Sequence, residues 1–226
     1  MATYVLVHGA TGGAWQMREV AARLIAAGHM VFTPTLTGLG ERAHLLTPAI
    51  NLQTHVDDIV NLLSCEDLHD LVLLGKSYAG VVITLVAERA ANRIRHLVYL
   101  DAIVPENGRS IVESFDPEHA ARLEAVVLER GDGWRLPADT RAEPRLTDHP
   151  FATFTQRVEL TNPAAAALPR TYIRCTATTL TLHARETARA AIHAQATGWR
   201  YRELATGHDP QLEAPQAVTD LLLELA

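Results

Sequence analysis

The sequence predicts an α/β architecture in which a mostly parallel central sheet is flanked by helices and carries a small helical insertion. Three observations predict it. Short apolar, β-branched runs ending in Gly, Asp or Thr alternate with stretches of helical spacing. Leu71–Leu74 is a continuous apolar run, as a strand buried on both faces requires. It passes directly into a helical stretch, Tyr78–Ala91, with no spacer.

The elements follow in order. Tyr4–Val7 reads as the first strand. Trp15–Ala27 reads as a helix with Val20, Leu24 and Ala27 on one face, stopped by Gly28. His29–Thr33 is the next strand. After a turn at Pro48–Asn51 comes a helix over Thr54–Leu63, then the strand Leu71–Leu74 and its helix. His96–Leu100, Arg170–Cys175 and Arg200–Ala205 are further strands, and Pro215–Leu225 is a closing amphipathic helix. Between about Pro105 and Leu168 the rhythm changes. Helical segments at Ile111–Arg130 and Phe151–Leu160 flank the turn-rich Gly131–Pro150 without a convincing strand, which reads as an inserted lid on a single domain spanning residues 1–226.

Composition narrows the function classes. The 226 residues are 48% apolar and 20% charged, a soluble globular composition, and a chain of this size removes roughly 70% of its unfolded surface from water without disulfides or metals. The net charge of −6, with no basic block, argues against a nucleic-acid partner. Cys65 and Cys175 lie far apart and outside any CxxC pair, so neither a zinc site nor a disulfide framework is expected, and a reduced, cytoplasmic setting fits. No signal peptide or membrane span is expected: the longest uncharged stretch, Leu24–Gly40, is broken by His29, Pro34, threonines and glycines. No phosphate-cradling or dinucleotide glycine motif appears, and the histidines lack zinc-helix spacing, so no cofactor and no metal are expected.

The chemistry concentrates in three segments. In Leu74-Gly75-Lys76-Ser77-Tyr78-Ala79-Gly80, an apolar strand meets a helix with a serine at the junction and small residues at Gly75, Ala79 and Gly80. Such a junction strains the serine backbone and holds its hydroxyl at the carboxyl end of the sheet. The pattern is G-x-S-x-A, and alone it also describes an ordinary helix N-cap. His8-Gly9-Ala10-Thr11-Gly12-Gly13 follows the first strand as a turn rich in backbone N–H groups, and Thr206-Gly207-His208-Asp209-Pro210 follows the last strand.

With these segments the sequence resembles the α/β-hydrolases, and within them the small-lid branch of plant methylesterases, hydroxynitrile lyases and bacterial esterases. The resemblance runs through Val5–Ala10 with Gly13-Ala14-Trp15, Gly28-His29, the serine junction, Val98–Ala102 with Val104-Pro105, and His208-x-Pro210-x-Leu212-x-x-Pro215. It implies Ser77 as nucleophile, His208 as general base, and the backbone N–H groups of Ala10 and Tyr78 as the oxyanion hole. The family places its acid just beyond the strand corresponding to Arg170–Cys175, but Thr176–Thr181 holds no carboxylate. Three candidates stand in its stead: Asp101 at a strand end, Asp209 beside the histidine, and Glu186 downstream. Asp101 is preferred.

Other residues carry structural expectations. Lys76, the one lysine among 20 basic residues, is expected to pair its ammonium beneath the site, with contact to an acidic substrate as the alternative. His8 is expected to support its turn, and Asp57 and Asp58 to anchor or solvate their helix. Trp134 is a candidate substrate-pocket residue, as are Phe115, Phe151 and Phe154, with ordinary packing an equal reading for each. The expected activity is hydrolysis of a small or medium carboxylic ester, a methyl ester or lactone, with that small-molecule ester as partner and no membrane partner. A homodimer is a candidate assembly. Hydroxynitrile cleavage is disfavoured because Asp209 and Gly9 replace the lysine and threonine of the related lyases; a non-catalytic binding module is the other alternative.

Overall fold

The computed structural model describes residues 1–177 and 181–226, and of residues 181–186 the backbone alone. Glu186, one of the three acid candidates, therefore has a side chain outside the described residues.

Six strands form one sheet: β1 (Thr3–Val7), β2 (Met30–Phe32), β3 (Leu71–Lys76), β4 (Ile94–Leu100), β7 (Arg170–Cys175) and β8 (Arg200–Leu204). Their order is β2-β1-β3-β4-β7-β8, and every pairing is parallel. A parallel sheet needs cover on both faces, and alternate residues of each strand provide it. Val5, Leu71, Leu73, Leu97, Tyr99 and Tyr172 join one buried cluster; Tyr4, Leu6, Val72, Leu74, Val98 and Ile173 join the other. The first face is covered by α2 (Leu52–Cys65), α3 (Ala79–Ala90) and α8 (Thr181–Ala196), the second by α1 (Arg18–Ala26) and α10 (Pro215–Leu223), which follows the short α9 (Pro210–Glu213). The helix expected from Trp15 starts as a 3₁₀ turn, Ala14–Met17, before α1.

The chain leaves β1 toward one edge, to β2, and then returns to build β3, β4, β7 and β8 on the other side. Open sheets of this kind place ligands at the carboxyl ends of the strands where the order reverses. Here that reversal lies between β1 and β3.

Residues 105–168 depart from expectation in detail. The stretch 111–130 is two helices, α4 (Ile111–Ser114) and α5 (Pro117–Arg130). Phe115 is extended, and Asp116 accepts from the His119 amide as the N-cap of α5 with Pro117 in its first turn. Proline cannot continue a helix but suits its start. The turn-rich part contains a small antiparallel ribbon, β5 (Arg135–Leu136) with β6 (His149–Pro150). Phe151–Leu160 is helical only at α6 (Ala152–Thr155), because Gln156 turns extended and its side chain accepts the Leu52 amide, capping α2. The last short helix is α7 (Pro163–Ala166).

Candidate active site

Ser77 sits between β3 and α3 with φ of 55°, a left-handed conformation that costs an ordinary residue on the order of 1 kcal/mol or more. The junction is held by the surrounding backbone: the Ser77 amide donates to Leu100 O, and Ser77 O accepts from Gly80 N and Ile103 N. The small residues have a physical reason. A Cβ on Gly75 would lie 2.5 Å from the Ala79 carbonyl oxygen, so strand and helix could not close on each other with a larger residue there.

Three chain segments, far apart in sequence, meet at the serine. His208, in the turn between β8 and α9, places Nε2 3.0 Å from Ser77 Oγ. Its Nδ1 lies 2.8 Å from Asp101 Oδ2. A carboxylate can only accept, so Nδ1 carries the proton and Nε2 is left to accept from the hydroxyl. Asp101 follows β4 with φ of 44° and is fully buried; its Oδ1 accepts from the Cys175 amide at 3.0 Å. Of the two acid candidates with described side chains, Asp101 reaches the imidazole. Asp209 turns away and accepts from Lys76 Nζ at 2.7 Å and from Gln211 Nε2 at 2.9 Å.

The electrostatics favour a neutral imidazole. Burial, followed by the nearby Lys76 ammonium, holds His208 well below the ordinary histidine range. The neighbouring thiol of Cys175 is pushed up to about 12 by burial and by the Asp101 charge, so it stays protonated at neutral pH.

The turn after β1 faces the same spot. A Cβ on Gly9 would stand 3.2 Å from Ser77 Cβ. The Ala10 and Tyr78 amides, one in this turn and the other following the serine, donate to no other group among the described residues. His8 supports the turn: its Nε2 accepts the Leu36 amide, so its Nδ1 donates to Gly9 O at 2.8 Å. Thr11, with φ of 59°, is gripped from both sides by the 105–168 segment. Its N–H donates to His149 Nδ1 at 3.2 Å, and its carbonyl accepts from the Thr147 amide at 2.9 Å. The Tyr78 ring packs edge-on against His149 and stacks on Phe154, while its hydroxyl lies 2.9 Å from His55 Nδ1.

His149 and Thr147 escape sequence reasoning, since no motif links Thr11 to residues more than 130 positions away. Trp134 lies between α5 and β5 with Arg135 over its ring, and Phe115 stacks on His119. Asp58 anchors its helix by accepting from Thr37 N and Oγ1, and Asp57 pairs with Arg89 at the surface. Among the described residues, no group of three or more His, Cys, Asp or Glu is placed to hold a metal ion, and no helix is long and apolar enough to cross a membrane.

Comparison with known proteins follows the same lines. The chain is 36% identical over 244 aligned positions to the carbendazim hydrolyzing esterase of Nocardioides sp. (strain SG-4G), covering all of both chains. It is 27% identical to Methylesterase 8 of Arabidopsis thaliana over 116 residues, 50% of this chain and 43% of that one. An extracellular alpha/beta-hydrolase from a Paenibacillus species, described as sharing structural and functional homology with Tobacco Salicylic Acid Binding Protein 2, superposes with a TM-score of 0.88 at 20% identity over 99% of this chain and 98% of that one, which shows a common fold. The Alpha/beta hydrolase family model matches residues 4–221, and the chain belongs to that family.

Proposed function

We propose that the chain is a serine carboxylic ester hydrolase that works through an acyl-enzyme on Ser77. The carrying observation is the unbroken run of hydrogen bonds from Ser77 Oγ through His208 to buried Asp101. A serine hydroxyl is a weak nucleophile until a base takes its proton as it attacks, and His208 Nε2 stands where that base must be. Asp101 holds the imidazole in the useful tautomer and stabilises its protonated form during attack.

As Ser77 Oγ bonds to the ester carbon, the carbonyl oxygen becomes an oxyanion. The Ala10 and Tyr78 N–H groups are its donors, and one such donor is worth about 3 kcal/mol in the transition state. His208 then returns the proton to the departing alcohol. Water attacks the acyl-enzyme with His208 again as base, releasing the acid and restoring Ser77.

The substrate class is a small or medium ester, a methyl ester or lactone. The full-length likeness to an esterase named for hydrolyzing carbendazim and the partial likeness to plant methylesterases support ester cleavage, and carbendazim is a rational test substrate. Residues 105–168 act as the lid, with Trp134 as a substrate-pocket residue. Free thiols at exposed Cys65 and buried Cys175 support a reducing, cytoplasmic setting.

The test pairs a covalent probe with turnover. A fluorophosphonate should label the protein at Ser77, and Ser77→Ala should lose both labelling and roughly 10⁴-fold or more of p-nitrophenyl acetate hydrolysis. Labelling that survives in Ser77→Ala would reject the nucleophile.

A further inference from the structure

The single lysine of the chain joins three turns beneath the nucleophile. Lys76 ends β3, one residue before Ser77, yet its side chain is only 6% exposed. Its Nζ lies 2.7 Å from Asp209 Oδ1, one residue after His208. Its stem runs below the turn after β1, where a Cβ on Gly9 would stand 3.0 Å from Lys76 Cδ. Asp209 is steadied in turn by Gln211, itself fully buried.

Removing an ammonium from water is costly, and a well-packed apolar side chain often fills such a space at no loss of stability. The pair's placement gives it another role, because its charges flank the Ser77–His208 contact. We propose that Lys76 and Asp209 form a positioning couple, clamping the turn that carries the base onto the strand end that carries the nucleophile and balancing one charge against the other beside the imidazole. This rests on the reading of His208 as general base.

Two consequences separate the couple from a simple tether. The Lys76 charge lowers the proton affinity of His208 and the Asp209 charge raises it, so removing either alone unbalances the site in opposite directions. The other groups facing His208 among the described residues stay common to all variants. Asp101 at the end of β4 and the Ser77 hydroxyl bond the ring itself; around the couple, the protonated Cys175 thiol at the end of β7 and the neutral His8 after β1 lie in the field of Lys76, and Glu213 of α9 accepts from the Gly207 amide.

The experiment measures kcat/KM against pH on a p-nitrophenyl ester for the wild type, Lys76→Met, Asp209→Asn and the double variant. In parallel, the His208 imidazole is titrated by NMR, with His208→Ala giving the assignment. Lys76→Met should move the acid limb and the imidazole titration up by about one pH unit, Asp209→Asn should move them down by a similar amount, and the double variant should return close to the wild type. Lys76→Gln serves in place of Lys76→Met should the latter fold poorly, and Asp209, whose side chain reaches solvent, tolerates the isosteric amide.

Equal titration in all four proteins, or a shift of the same sign in both single variants, would overturn the couple, whatever the loss in kcat. Failure of the underlying reading looks different. His208→Ala would then keep its turnover, while the NMR titrations would still report whether the two charges act on the imidazole.

Discussion

Asp101 spends both carboxylate oxygens, one on the His208 ring and one on the Cys175 amide, so its orientation is set by the end of β7 as well as by the imidazole. Asp101→Asn keeps the size but offers an amide that can leave the imidazole in the wrong tautomer, and kcat should fall roughly 10⁴-fold with KM little changed. Steady-state kinetics checked against an unchanged melting curve would establish this, and near-normal kcat would reject Asp101 as the acid. The local chemistry at Ser77 and His208 is legible in sequence because Ser77 follows directly on an apolar strand among small residues, and His208 lies in the turn-forming Thr206-Gly207-His208-Asp209-Pro210 shortly after β8. Which carboxylate meets the imidazole is not legible in the same way: Asp101 and His208 are 107 positions apart, and it takes the registers of β4 against β7, Leu97–Leu100 facing Arg170–Ile173, and of β7 against β8, Thr171–Cys175 facing Arg200–Leu204, to bring them together. Asp209 shows the converse. Adjacent in sequence, it points instead to Lys76, because a side chain and its neighbour diverge from the backbone.

The alternation of strands and helices can be read from periodicity since each element buries an extended apolar face, and β3 and α3 are buried almost throughout. Residues 105–168 resist such reading because their elements are two to four residues long apart from α5, and elements so short owe their shape to tertiary partners. Gln156 gives up helix to cap α2, and Glu88 of α3 accepts the amides of Thr161 and Asn162. The Asp116-Pro117 break was available as a local signal, an N-cap followed by proline. The segment's main bond to the site is His149, whose Nδ1 accepts from Thr11 and whose Nε2 therefore donates to Thr153 Oγ1. His149→Leu strands the Thr11 N–H and should cost about 1–3 kcal/mol of stability, together with a fall in kcat as the turn bearing Ala10 loosens. His149→Asn, able to present an acceptor to the same N–H, should recover most of both. Thermal melts and kcat on the two variants decide it, and equal behaviour of Leu and Asn would remove the hydrogen bond from the explanation.

Buried neutral histidines shape how the whole molecule answers to pH. His8 and His55 are almost wholly enclosed, and burial lowers each to about 4; His149 is driven in the same direction by burial and by its two histidine neighbours. All three have their ring nitrogens engaged as neutral species, His55 donating from Nε2 to Thr37 O and accepting the Tyr78 hydroxyl at Nδ1. The unfolded chain takes up the His8 and His55 protons near pH 6.5, whereas the folded chain refuses them until about pH 4, and His149 is held low in the same direction. The unfolded state thus binds more protons across that window, and stability rises with pH through it. Stability is complete above the unfolded value and is lost as pH falls, by about 2 kcal/mol for each of His8 and His55 at pH 5. Since a domain's net stability is only about 5–15 kcal/mol, the melting temperature should drop markedly between pH 7.5 and pH 5. Glu113 and Glu143, held low by hydrogen bonds from Arg157 and Arg145, are ionised throughout that range and act only at more acid pH. Calorimetry at the two pH values tests the argument, with His55→Gln expected to flatten the dependence. An equal melting temperature at pH 5 and 7.5 would show that the enclosed rings are protonated without penalty, against everything their burial and bonding imply.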